Sequence, residues 1–260
     1  MSNFQKPSIE LIEPNWPAPK NVKAFFTSRN GGVSAGAYGG VDGFNGLNLE
    51  KHVGDSPYCV RKNREIVESL GCKDLRFLNQ VHSSRVLEAD EIISDAEDAD
   101  ASFTTKSNVG CVVMTADCLP ILLCSKDGEI VCACHAGWKG LAAGVIQESV
   151  RKMRERLSSS AVETMAWIGP CLDVENFVVQ QDVKDIFFRS ELAPFADKYF
   201  ISDPKGFLLN FSGLASETLK LAGVNEVYDS GLSTYSDPAR FYSYRRDKVT
   251  GRHGAVIYKQ

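Results

Sequence analysis

The stretch that decides the fold runs from Cys111 to Gly144, CVVMTADCLPILLCSKDGEIVCACHAGWKGLAAG. Its three apolar runs, Cys111–Thr115, Leu119–Cys124 and Ile130–Cys134, read as buried strands. The turn Ala136-Gly137-Trp138 then opens a helix expected to reach Leu157, since Val145, Ile146, Val150, Met153 and Leu157 recur at roughly helical spacing. Asp117-Cys118 interrupts the first apolar block, and His135 stands where the last strand meets the helix. Polar, reactive side chains at the ends of buried strands usually serve a site. Strand alternation puts Cys132 and Cys134 on one face and Val131, Ala133 and His135 on the other, so Cys134 is a poor partner for His135.

Upstream, an extended N-terminal segment (1–20) with Pro14, Pro17 and Pro19 leads into a strand over Val22–Ser28. Arg29–Gly46 carries seven glycines and reads as a loop with several positive-φ positions. Such a loop can bring backbone amides close to an anion, so Arg29, Gly31 and Gly32 are candidates for phosphate; a plain surface loop is the competing reading. The spacing matches neither a Walker loop nor a dinucleotide fingerprint. A helix opens at Ser56-Pro57 and ends at Gly71. Leu75–His82 reads as a strand with Gln80 and His82 on one face, and Asp90–Asp100 as an acidic surface connection that lacks the spacing of a calcium loop.

Downstream, a strand over Met165–Gly169, an extended piece at Phe177–Gln180, a short helix around Asp182–Phe188 and a longer one from Asn210 to Gly223 are expected. The tail Phe241–Tyr258 reads as a strand, a charged turn and a closing strand. Within it, Arg245 and Arg246 offer planar forks for phosphate or a carboxylate, with pairing to Asp247 as the structural alternative.

The 260 residues fit a single domain, 1–260, with one composite core. Hydrophobic residues at 43%, charged residues at 24% and a net charge of −4 describe an ordinary globule with no basic footprint for nucleic acid. No apolar run is long enough to span a membrane and no signal-peptide core opens the chain, so the expected location is the cytoplasm. The eight cysteines are then read as free thiols, mostly buried. Cys118, beside a charge and a proline at a strand boundary, is the exception.

The chain has four histidines, His52, His82, His135 and His253. His82, Cys118 and His135 occupy three separate strand-end positions, and a set of two His and one Cys with an open fourth position suits catalytic zinc, whose bound water has its pKa lowered toward about 7. The same donors suit a copper centre, so copper is the alternative metal. Asp117 is expected to orient a ligand rather than to take a proton as general base, with capping of the next turn as the structural alternative.

Four blocks also resemble a known family: Thr115-Ala116-Asp117-Cys118-Leu119-Pro120, His135-Ala136-Gly137-Trp138-Lys139-Gly140, Gln80-Val81-His82 and Ser243-Tyr244-Arg245-Arg246-Asp247. Together they are similar to the laccase-domain, or polyphenol oxidase, family, whose members are regarded as purine nucleoside phosphorylases with adenosine deaminase activity. The likeness covers about Thr27 to Ile257. It implies an α/β (α+β) fold, a layered α-β-β-α sandwich with mixed sheets. It also implies metal ligands at His82, Cys118 and His135, with purine nucleosides such as adenosine, inosine and methylthioadenosine, and inorganic phosphate, as substrates. Hydrolytic deamination at C6 would follow the logic of zinc deaminases. Lys139 stands where many relatives carry Arg, and His253 is given no catalytic role. The catalytic expectation is therefore Cys118, His82, His135 and Asp117, with Arg29, Gly31, Gly32, Gln80, Arg245 and Arg246 toward substrate and phosphate.

Three other readings remain open on the sequence. They are a copper polyphenol oxidase, a metal-free hydrolase with Cys118 as nucleophile and a histidine as base, and a non-enzymatic binding protein. With only His52 and His253 left over, the histidine count argues against a multi-copper cluster. Oligomeric state is left open.

Overall fold

In the computed structural model the described residues are 9–158 and 162–260; residues 1–8 of the expected N-terminal segment lie outside them. The strand Val109–Thr115 belongs to a five-stranded sheet, in the order Leu11–Ile12, Val22–Thr27, His253–Lys259, Val109–Thr115, Asp74–Arg76. The next strand, Leu119–Ser125, belongs to a different, six-stranded sheet, in the order Glu226–Asp229, Thr164–Ile168, Leu119–Ser125, Val131–Ala136, Ala101–Thr104, Val86–Glu88. The three residues Ala116-Asp117-Cys118 therefore carry the chain from one sheet to the other.

Side-chain alternation along these strands builds the layers. Phe26, Cys111, Val113 and Ile257 of the first sheet meet Leu122, Val131, Ala133 and Trp167 of the second in one apolar core. The opposite face of the six-stranded sheet, with Ile121, Leu123, Cys132, Cys134 and Ile168, packs under the helices Val145–Arg156 and Phe211–Leu221. The outer face of the five-stranded sheet, with Phe25, Val112, Met114 and Val256, is covered by the helix Pro57–Glu68 through Val67. This is the α-β-β-α sandwich expected, and both sheets are mixed, with parallel pairs such as Asp74–Arg76 with Val109–Thr115 and Thr164–Ile168 with Glu226–Asp229. A small antiparallel sheet of Val178–Val179, Gly206–Leu209 and Phe200–Asp203 flanks the helical side. Each fully buried large aliphatic or aromatic side chain contributes about 1.5–3 kcal/mol, so the inter-sheet core holds the crossing at Cys118 in a fixed place.

Four local expectations are corrected. The helix expected from Trp138 to Leu157 is two helices, Trp138–Ala142 and Val145–Arg156, because Gly144 sits at φ +88° between them. Of Leu75–His82 only Leu75 and Arg76 are strand, within Asp74–Arg76; His82 itself has φ +60°. The glycine-rich loop contains a short strand, Asn30–Ser34. The tail begins with a short helix, Tyr244–Asp247, instead of a strand, since the Ser243 hydroxyl accepts the Arg246 N–H and the Asp117 carboxylate accepts the Arg245 N–H. Among the described residues no helix is long and apolar enough to cross a membrane.

Candidate metal centre

At the crossing between the sheets Asp117 adopts φ +90°, a conformation that costs a non-glycine residue roughly 1 kcal/mol or more unless its surroundings fix it. Three bonds fix it here. Its carbonyl accepts the Leu172 N–H at 3.0 Å, and its carboxylate accepts the Thr234 hydroxyl at 2.7 Å and the Arg245 N–H at 2.6 Å. Both carboxylate oxygens are thus engaged, and the consequence is a rigid placement of Cys118 at the start of the next strand.

Across the hairpin, Pro120 pairs with His135, which puts the buried His135 ring beside Cys118. The third group arrives from an irregular segment. His82 is exposed, yet its ring lies edge-on to His135 with centroids 4.7 Å apart, and its Nε2 is 3.7 Å from Cys118 Sγ. One ligand atom from each of His82, Cys118 and His135 lies within 4.8 Å of the other two. Tetrahedral zinc with its usual Zn–N and Zn–S bonds needs donor separations of about 3.3–3.6 Å, so the group fits such an ion with small side-chain adjustments. Gly137 makes room for it: a Cβ there would stand 2.3 Å from His82 Cδ2 and 3.3 Å from Cys118 Sγ.

One carboxylate outside the expected set organises both histidines. Asp100, fully buried, accepts the backbone N–H groups of Val81, His82 and Ser83 at 3.3, 2.9 and 2.6 Å, and the Ser83 hydroxyl at 2.8 Å. These bonds hold His82 in its left-handed conformation. The same carboxylate lies 2.8 Å from His135 Nδ1. Burial would push Asp100 up, but His135 and Ser83 hold it below the usual carboxylate range. It is therefore an acceptor only, Nδ1 carries the proton, and Nε2 is left for a ligand bond.

Burial would raise the Cys118 thiol, yet hydrogen bonds from His135 and His82 bring it down to about 6. Burial would lower His135, yet Asp100 and Cys118 raise it to about 9. The same contacts thus push the thiol down and the imidazole up, which favours the thiolate form that a metal ligand needs.

The centre lies in a wall between two cavities. One, of about 480 Å³, is polar and is lined by Glu50, His52, Gln80, Thr115 and Arg252 as well as by His82, Cys118 and His135. The other, of about 560 Å³, is aromatic, with Trp138, Phe177, Phe211 and Tyr244 beside Arg245 and Lys248, and it also reaches His82, Asp117 and Cys118. Of the residues expected to bind substrate, Gln80 and Arg245 reach these cavities. Gln80 exchanges two hydrogen bonds with the Met114 backbone, and Arg245 Nη1 donates to the carbonyls of Asn176 and Val178.

Arg29, Gly31, Gly32 and Arg246 do not line either cavity. The Arg29 guanidinium donates to Gly39 and Pro238 carbonyls, and the amides of Gly31 and Gly32 both donate to the Asn45 carbonyl. Arg246 is spent on the carbonyls of Thr234, Tyr235 and Phe241 and on Asp247. Sequence reasoning missed Asp100, Glu50 and Arg252. Asp100 closes an acidic run directly before the buried strand Ala101–Thr104, and that position at a strand edge is the signal that separates it from its solvated neighbours.

The sequence profile of the family described as multi-copper polyphenol oxidoreductase laccase matches residues 23–260. The chain belongs to this family. Among its relatives, purine nucleoside phosphorylase PA4543 of Pseudomonas aeruginosa is 40% identical over 250 residues, covering 96% of this chain and 98% of that one. Purine nucleoside phosphorylase YfiH of Escherichia coli is 36% identical over 251 residues, with coverage of 96% and 98%. The crystal structure of Neisseria meningitidis protein NMB0706 superposes with a TM-score of 0.87 at 42% identity, covering 96% of this chain and 99% of that one. YlmD from Geobacillus stearothermophilus shares the fold, with a TM-score of 0.85 at 24% identity over 100% and 98% of the two chains.

Proposed function

We propose that the chain is a zinc-dependent purine nucleoside phosphorylase that also deaminates adenosine. The observation that carries the reading is the placement of the His82–Cys118–His135 group between an aromatic cavity and a polar one. Relatives named purine nucleoside phosphorylase, matched over nearly their whole length, support it. A purine has an apolar π-face and a polar edge. Trp138, Phe177, Phe211 and Tyr244 suit the face, and the free guanidinium nitrogens of Arg245 suit the edge.

Held by His82, Cys118 and His135, zinc would supply Lewis acidity and a water of lowered pKa. The chain's own residues set the conditions. Asp100 fixes the His135 tautomer and the backbone of His82, the two histidines keep Cys118 as thiolate, and Asp117 holds the crossing rigid.

A copper polyphenol oxidase is the second reading, favoured by the family's description and by a donor set that copper also accepts. Against it stands the fate of the remaining histidines. His253 is sealed in the core with Nε2 accepting the Tyr242 N–H, and His52 is mostly exposed beside Glu50. Among the described residues the His82–Cys118–His135 group is the one cluster of three donors, too few for a multi-copper centre.

The test is product analysis on adenosine and inosine with and without phosphate, on protein of measured metal content, alongside a phenol oxidation assay. Free base and ribose 1-phosphate appearing only with phosphate, inosine from adenosine, and zinc near one per chain support the proposal. Stoichiometric copper with phenol oxidation and no nucleoside turnover overturns it. Turnover that survives metal removal but not Cys118→Ser assigns a cysteine nucleophile instead.

A further inference from the structure

The polar cavity holds two charged groups that face the same space and do not pair with each other. Asn48, fully buried, explains how they come together. Its side-chain oxygen accepts the N–H of Glu50 at 3.1 Å and of Arg252 at 2.9 Å, while its amide donates to the Glu50 carbonyl at 3.1 Å and to Asp55 at 2.9 Å. One side chain thus clamps two segments 204 residues apart in sequence and fixes both charges at the cavity wall.

Arg252 stands apart from the arginines that sequence pattern favoured. Its Nη1 donates to the carbonyls of Thr250 and Gly251, both at 3.0 Å, and its guanidinium lies 5.6 Å from the Tyr244 ring centroid. Among the described residues no carboxylate pairs with it and no protein acceptor meets Nε or Nη2. A half-buried cation in no direct ion pair, with donors free toward a cavity, can take an anion there. Glu50 is the complement. Its Oε1 accepts the His52 N–H at 2.9 Å and lies 3.2 Å from His52 Nδ1, which fixes the carboxylate; Oε2 meets no donor among the described residues.

We infer that Arg252 and Glu50 form a subsite for a protonated oxyanion, inorganic phosphate, opening onto the metal centre. This rests on the phosphorolysis proposed above and deepens it. Arg252 donates to two phosphate oxygens, and Glu50 accepts the hydrogen of the P–O–H group. A carboxylate rejects an anion that has no proton to give. The subsite therefore admits phosphate, or arsenate, and excludes sulfate, which is fully ionised near neutral pH.

The reaction balances with this arrangement. A phosphate oxygen supplies the electron pair of the new C1′–O bond, the C1′–N9 pair leaves with the purine, and the proton lost by hydrogenphosphate equals the one the purine gains. Ribose and base lie toward the aromatic cavity, so the two reactants meet at the wall that both cavities share.

Initial rates with phosphate and inosine varied independently test the subsite, on zinc-loaded wild type, Arg252→Gln and Glu50→Gln with matched metal content and melting temperature. Loss of a charge-assisted hydrogen-bonded pair is worth about 10- to 100-fold, so Arg252→Gln is expected to raise the KM for phosphate by that factor while the KM for inosine stays within about twofold. Glu50→Gln turns an acceptor into a donor, and sulfate, a poor inhibitor of the wild type, is expected to compete with phosphate at least about tenfold better.

An unchanged phosphate KM in Arg252→Gln, or an equal rise for inosine, overturns the subsite with phosphorolysis intact. Base release from wild type that ignores phosphate is the separate failure of the phosphorylase reading. Calorimetric titration with phosphate and with sulfate decides the subsite even then: phosphate bound by wild type and lost in Arg252→Gln upholds it, and no binding to wild type overturns it.

Discussion

Two buried histidines, His135 and His253, sit at matching places in the two sheets. His135 is the penultimate residue of its strand, beside Pro120, and His253 begins its strand beside Thr115, so both flank the segment that carries Cys118 between the sheets. His253 is surrounded by the rings of Phe26, Phe241 and Tyr242, its Nε2 accepts a backbone N–H, and burial pushes it down to about 3. His135 is just as dry, but Asp100 and Cys118 raise it to about 9. Burial alone makes a neutral packing residue. A carboxylate on Nδ1 makes a ligand with a fixed free nitrogen.

The largest effect that tests this contrast is removal of a ligand. Cys118→Ser and His135→Ala are expected to lose the bound metal and at least about a thousandfold of base release, since metal supplies several kcal/mol of charge stabilisation; retained metal with retained turnover breaks the assignment. Next comes the orienting carboxylate. Asp100→Asn is expected to weaken metal binding by about 10- to 100-fold, and to lower stability by about 1–3 kcal/mol as hydrogen bonds to a charged group are lost, both read by chelator competition and urea unfolding.

The pH dependence of stability probes the other histidine. Between about 3 and the ordinary value of 6.5 the unfolded chain binds a proton at His253 that the folded chain does not. Stability from this group is therefore complete above 6.5 and falls as pH drops, by up to about 1.4 kcal/mol per pH unit. Urea unfolding of wild type and His253→Gln from pH 4 to 7 should show the shallower slope in the variant; identical slopes would assign the acid sensitivity elsewhere. The smallest effect is Gly137→Ala. At φ −65° the backbone suits alanine, so unfolding is expected to change little, while the added Cβ crowds His82 and loosens metal binding by a few-fold.

The layers and the candidate group His82–Cys118–His135 were legible because they depend on local pattern. Strand-length apolar runs set the sheets, and Cys118 and His135 stood out as reactive groups at strand boundaries. The family likeness pointed to the same three residues and to the sandwich. What was not legible depends on contacts distant in sequence. Asp100 looked like one more member of an acidic surface run, yet it is the buried partner of a histidine 35 residues away. Arg252 was passed over for the more conspicuous Arg245-Arg246 pair, and no local pattern shows that the Arg246 guanidinium is consumed by carbonyls while Arg252 keeps free donors. The left-handed turn at His82 likewise follows from the Asp100 carboxylate, so alternation extended a strand past the point where the chain leaves it.

The most direct measurement of the central claim is zinc affinity by chelator competition for wild type, Asp100→Asn and His253→Gln, each confirmed folded by its melting curve. The account predicts a loss of about 10- to 100-fold for Asp100→Asn and a change within about twofold for His253→Gln. Equal losses in both, or none in Asp100→Asn, would contradict it.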